Sequence, residues 1–178
     1  MIMGTQEIVE VLSSELDSVM ILVGDAIQDM EDNGIPQWDE IYPDRSIFGA
    51  DIRAGELYCV KINGTIAGVM ALNEYQSAEY DDIRWSDNGP PLVIHRLCIN
   101  PTFQGKGLAK LLVRFAEEYA QKHDYSSIRL DAFTVNEKAV GLYDAMNYLR
   151  KGIVKFRKGN FYCYKKFFNM QKTQELPV

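Results

Sequence analysis

Residues 92–99, LVIHRLCI, form an unbroken apolar run, and a short glycine-containing connection later the pattern LAKLLVRFAEEYAQK places Leu108, Leu111, Leu112, Phe115 and Tyr119 on one helical face. The first reads as a buried strand and the second as a helix with one apolar stripe. SIRLDA at 127–132 then alternates like a strand, and NEKAVGLYDAM returns to helical spacing. A βαβα order over this stretch commits the chain to an α/β sheet with helices packed on it.

The remaining segments make that sheet mixed and mostly antiparallel. Residues 7–12 read as a first strand, and after Ser14 the positions Leu16, Met20, Val23, Ile27 and Met30 keep helical spacing until Asn33-Gly34 stops them. Residues 56–62 and 65–72 are β-rich and joined by Asn63-Gly64, the pair that most readily supplies the two positive φ angles of a type I′ turn. A second hairpin is expected from 153–157 and 161–167 around Lys158-Gly159-Asn160. With 178 residues and 47% hydrophobic content, one domain over 1–168 suffices to bury a core, followed by a polar tail at 169–178.

A net charge of −6 argues against a general polyanion binder, so no nucleic-acid partner is expected. Cys59, Cys98 and Cys163 are too far apart for a metal motif; they read as buried, reduced thiols of a cytoplasmic protein, and no metal is expected. The most apolar helix carries Asp17 and Asp25, so no membrane span is visible.

The connection itself, NPTFQGKG, is where chemistry is expected. A P-loop is excluded because no Lys-Ser or Lys-Thr follows the spaced glycines, and the dinucleotide fingerprint fails because Lys110 stands where its third glycine belongs. What remains is a helix start whose amides at Gly105, Gly107, Leu108 and Ala109 are open to an anion such as pyrophosphate, with Lys106 and Lys110 beside it. A plain glycine loop with a solvated lysine has the same local spelling.

HRLCINPTFQGKGLAKLL resembles the acetyl-CoA-binding core of the GNAT superfamily of N-acetyltransferases, whose signature Gln104, Gly107 and Ala109 fit. Downstream, NEKAVGLYDAMNY resembles that family's second segment at Asn136, Ala139, Leu142 and Tyr143, with Asn147-Tyr148 where the family usually closes on Gly-Phe. Asparagine tolerates the left-handed helix end that such a position requires. The resemblance spans residues 55–167 and implies a GNAT-like acyltransferase fold with acetyl-CoA as cosubstrate, its pyrophosphate wrapped by Gln104, Gly105, Lys106, Gly107, Leu108, Ala109 and Lys110.

The resemblance further implies direct attack of a primary amine on the thioester where strand 92–99 splays from strand 127–132. A main-chain amide at Leu97, Cys98 or Ile99 would bind the developing oxyanion, Asn136 would help hold the donor, and Tyr143 would protonate the departing thiolate. Periodicity alone reads Tyr143 as a core residue. Glu74, at a strand end, and His95, at alternate spacing from Leu97 and Ile99, are candidate bases; their ordinary readings are a solvated glutamate and a structural histidine.

Two loops, QWDEIYP and AEYDDIRW, interleave carboxylates with Trp38, Tyr42, Tyr80 and Trp85 and are candidates to bind a cationic amine, a small molecule or a peptide. The same aromatics equally serve as loop anchors. A non-catalytic acyl-CoA-binding regulatory domain and a non-CoA interaction domain are the competing functions, and hairpin edges are available to pair two copies.

Overall fold

The computed structural model describes residues 5–86 and 89–168; the tail expected at 169–178 lies outside the described residues. Seven strands form one sheet: β1 (Gln6–Glu10), β2 (Leu57–Ile62), β3 (Thr65–Asn73), β4 (Pro91–Ile99), β5 (Ser127–Phe133), β6 (Leu149–Phe156) and β7 (Gly159–Phe167), in the spatial order β1-β2-β3-β4-β5-β7-β6. Only β4 and β5 run parallel. Helices α1 (Leu16–Asp32), α2 (Arg45–Ala54), α3 (Leu108–Lys122) and α4 (Glu137–Ala145) flank it, giving the mixed, mostly antiparallel sheet expected from the sequence.

Local chemistry explains the turns. Asn63 and Gly64 take φ 50° and 80°, closing β2 on β3, and Asn147 takes φ 62° at the end of α4. The second hairpin is tighter than the spacing suggests, because Phe156 pairs with Gly159 and leaves Arg157-Lys158 as the turn. Helix α2 has no counterpart in the apolar periodicity. Its signals are its caps: the Asp44 carboxylate accepts from the Ile47 amide, and Gly55 ends the helix at φ 70°.

The strands distribute their side chains to two faces. Along β2, Tyr58 and Val60 join a core with α3 and α4, while Leu57 and Cys59 join one with α1 and α2. Strand β4 breaks this period: Leu92 and Ile94 pack on the α3–α4 side, but so do Leu97 and Ile99, while Cys98 belongs to the α1–α2 side. The cause is a bulge, since Val69 pairs with Cys98 and Ala71 with His95, so that Arg96 and Leu97 together oppose Met70. Arg96 accommodates the extra residue at φ 52°. His95 consequently does not share a face with Leu97 and Ile99, which corrects the alternation read from sequence.

Strands β4 and β5 are hydrogen-bonded only from Pro91↔Ser127 to Val93↔Arg129. Beyond that register they separate, and the sheet opens into a split.

Candidate active site

A cavity of about 1410 Å³ runs through this split. Its walls include Leu97, Cys98 and Ile99 of β4, Asp131 and Ala132 of β5, Tyr143 of α4, and Gln104, Gly105, Gly107, Leu108, Ala109 and Lys110 of the glycine turn. Residues named from local sequence on two separate segments thus line one space.

The glycine turn is shaped for close approach. Gly105 and Gly107 take φ 75° and 78°, and a side chain at either would meet nothing within 4 Å, so backbone conformation rather than crowding calls for glycine. Gly107 is the N-cap of α3 and no side chain caps it, so the positive end of the helix dipole lies at residues that line the cavity. Gln104 is fixed from both sides: its amide nitrogen donates to Asp29 Oδ2 at 3.2 Å, and its oxygen accepts from Lys138 Nζ at 3.1 Å. Lys106 is not part of the wall. It donates to the Thr102 carbonyl and lies 4.9 Å over the Phe103 ring, and Lys110 and Lys138 line the cavity instead.

Two ionisable groups approach the split from opposite faces of the sheet. On β5, Ile128, Leu130 and Ala132 join the α3–α4 core, so Asp131 projects the other way, where it accepts from the Tyr80 hydroxyl at 2.8 Å. Burial raises its carboxyl to about 6, against the opposing effect of that hydrogen bond. Tyr143 comes from the α3–α4 side, buried with its ring 5.8 Å from that of Tyr148 and 5.6 Å from that of Tyr164. Burial, then the charges of Asp131 and Tyr164, push its phenol well above 10. The tuning is therefore upward, and the phenol stays protonated at neutral pH.

Several sequence candidates stand elsewhere. Glu74 does not line the cavity; it follows β3 near the closed end of the split, where its Oε1 accepts from the Tyr125 hydroxyl at 2.7 Å. His95 does line it, yet its Nε2 is spent on the Tyr75 carbonyl at 3.1 Å. Burial and the Arg96 charge lower that imidazole to about 4, which makes it a poorer base than Asp131. Cys98 is buried and its thiol is raised to about 12 by burial, matching an inert thiol. The three cysteines are free and buried, as expected. Among the described residues no helix is long and apolar enough to cross a membrane, and no group of three or more His, Cys, Asp or Glu is placed to hold a metal.

Of the loop aromatics, Trp38, Tyr42 and Tyr80 line the cavity. Trp85 does not: its Nε1 donates to the Tyr80 carbonyl and the Arg129 guanidinium stacks 4.4 Å from its ring, the anchoring role that was the alternative. Asp39 is turned to Arg157 and Lys158, which bind it at 2.7 to 3.0 Å and hold its carboxyl far below the usual range. Asn136 caps α4 by accepting from the Ala139 amide and donates to Gln37 Oε1 at 2.9 Å, tying the α1–α2 loop to the cavity wall.

Residues 24–148 match the model of the acetyltransferase (GNAT) family. The chain belongs to the GNAT acetyltransferase family. The acetyltransferase is 27% identical over 123 residues to the uncharacterized N-acetyltransferase YesJ of Bacillus subtilis, an alignment covering 67% of this chain and 68% of that protein. With rat N-acetylaspartate synthetase it shares 29% identity over 91 residues, 51% of this chain but 27% of the relative. Among solved structures, a GNAT-family acetyltransferase of Streptococcus agalactiae superposes with a TM-score of 0.80 at 25% identity, over 92% of this chain and 96% of the other. Membership makes this an acetyl-CoA-dependent acetyltransferase, with the family's seven-strand sheet and flanking helices.

Proposed function

We propose that this acetyltransferase moves an acetyl group from acetyl-CoA to a primary amine by direct attack through the split, with Asp131 as base and Tyr143 as acid. The observation that carries the reading is their placement at one cavity from opposite faces of the sheet. The donor enters along α3, its pyrophosphate at the uncapped turn of residues 104–110, its pantetheine beside Asn136, and its thioester between β4 and Tyr143. The amine enters from the face of Trp38, Tyr42 and Tyr80. Its nitrogen forms a bond to the thioester carbon, its proton passes to Asp131, and the oxyanion is held by main-chain amides at Leu97, Cys98 or Ile99. The carbon–sulfur bond then breaks and the thiolate takes the Tyr143 proton.

Tyr143 suits this role although its phenol is shifted upward. The apolar surroundings that penalise a phenolate penalise the CoA thiolate as well, so the two proton affinities rise together and the transfer stays near balance.

The test is release of CoA thiol from acetyl-CoA by purified protein across pooled primary amines, with an amine-free control. Release confined to one pool establishes the transferase and narrows its acceptor. Tight binding of acetyl-CoA with no release from any pool would instead favour an acyl-CoA sensor.

One variant checks the donor site on its own. Gly107→Ala must hold a side chain at φ 78°, a penalty of about 1–2 kcal/mol for an L-residue, and it narrows the approach of the anion. The expected result is a rise of roughly tenfold in KM for acetyl-CoA with kcat little changed. An unaltered KM would move the pyrophosphate away from this turn.

A further inference from the structure

The bulge of β4 is built on an arginine. At φ 52° Arg96 occupies a region where a β-carbon crowds the backbone and which glycine or asparagine fills more readily. Such a conformation persists only where surrounding structure imposes it.

Two observations identify what imposes it. The Arg96 guanidinium makes a two-point ion pair with Asp51, Nε to Oδ2 and Nη2 to Oδ1, both at 2.8 Å. The two side chains are 10% and 8% exposed, so solvent screens the pair little. A planar fork fixes orientation as well as distance. Asp51 in turn is carried by α2, which is capped at both ends and packed on the sheet through Phe48 and Ile52. Burial raises the Asp51 carboxyl while the Arg96 charge and hydrogen bonds oppose that rise, so each partner depends on the other being there.

We propose that Asp51 is a positioning residue for acyl transfer: through Arg96 it clamps the left-handed step of the β4 bulge, and the bulge aims the main chain at Leu97, Cys98 and Ile99 into the split. The proposal rests on the acetyltransferase reading above. Arg96 lines the cavity and Asp51 acts only through it. With the clamp released, the least strained response is for Arg96 to return to extended backbone. The extra residue then leaves the strand, and Leu97 and Ile99 exchange faces with Cys98, because a one-residue shift reverses every side chain beyond it. The damage falls on the chemical step more than on donor binding, since the glycine turn lies outside the shifted segment.

Glycine separates this role from plain stabilisation. At position 96 it adopts a positive φ without strain and keeps the bulge unclamped, whereas alanine does not. Asp51→Asn preserves shape while removing the charge, and its kcat is expected to fall about 10- to 30-fold with KM for acetyl-CoA within about threefold of wild type. Asp51→Asn/Arg96→Ala falls at least as far. Asp51→Asn/Arg96→Gly recovers most of the lost kcat, although neither double variant contains the ion pair. Equal activity of the two doubles, or kcat that follows melting temperature through the series, overturns the proposal. Crystal structures of the doubles give a readout independent of turnover: residue 96 is expected at positive φ with glycine and extended with alanine, and the same backbone in both would refute the clamp. Wild type is assayed alongside with the amine pools, so an inactive wild type counts against the acetyltransferase reading while φ at residue 96 decides the clamp.

Discussion

Asparagine in place of Asp131 is expected to cut kcat by about 10²–10⁴-fold and to make the same protein more stable at neutral pH. The carboxyl sits at about 6 rather than 3.8, because burial disfavours its charged form. Folding therefore favours the protonated acid. The sign follows: this contribution to stability is intact below about pH 3.8, is lost as pH rises through about 6, and wild type carries the whole cost above about pH 7. A displacement of that size corresponds to about 1–3 kcal/mol once water in the open cavity is allowed for. Asparagine is neutral throughout and still offers an oxygen to the Tyr80 hydroxyl. Urea unfolding of both proteins should show similar stability near pH 4 and a gap favouring Asp131→Asn above about pH 7. In wild type, kcat/KM should fall as pH drops through about 6. A variant that turns over normally, or a profile flat through that range, would remove Asp131 from the chemistry.

The second large effect is expected at Tyr143. Removing only its hydroxyl, with Tyr143→Phe, keeps the ring against Tyr148 and Tyr164 and is expected to lower kcat by about 10²–10³-fold with KM for acetyl-CoA little changed. The loss should depend on the leaving group. A thioester whose thiol is several pK units more acidic than CoA departs without a proton, so on that donor wild type and Tyr143→Phe should converge. If the ratio of the two rates is the same for both donors, Tyr143 is a packing residue and the thiolate finds its proton elsewhere. A large drop in melting temperature would point the same way.

What was legible in the sequence is what short-range chemistry determines. Asn63-Gly64 names its own turn, and Gly105 and Gly107 name theirs. The features that escaped depend on partners far along the chain. The β4 bulge needs Asp51, 45 residues before Arg96, and nothing within LVIHRLCI marks where its alternation slips. Asp131 looks like one more polar position in an alternating strand; its chemistry comes from the split beside it and from Tyr80, 51 residues away. Glu74 was equally visible, yet it stands where β4 and β5 are still hydrogen-bonded, and only the register of that pair tells the two carboxylates apart. Helix α2 escaped because Asp51, on its buried face, interrupts the apolar stripe for the sake of Arg96.

The proposed separation of donor and acceptor onto opposite faces of one sheet also bears on how such a protein can acquire new preferences. The cavity walls proposed for the amine, in the α1–α2 loop, the segment around Tyr80 and the turn at Arg157-Lys158, share no residues with the glycine turn proposed for the anion. Changes in the former alter which molecule is modified without re-solving how the common donor is gripped. The two halves of the site are, in this sense, separately editable, and libraries that vary only those three loops are the natural starting point for redirecting the enzyme.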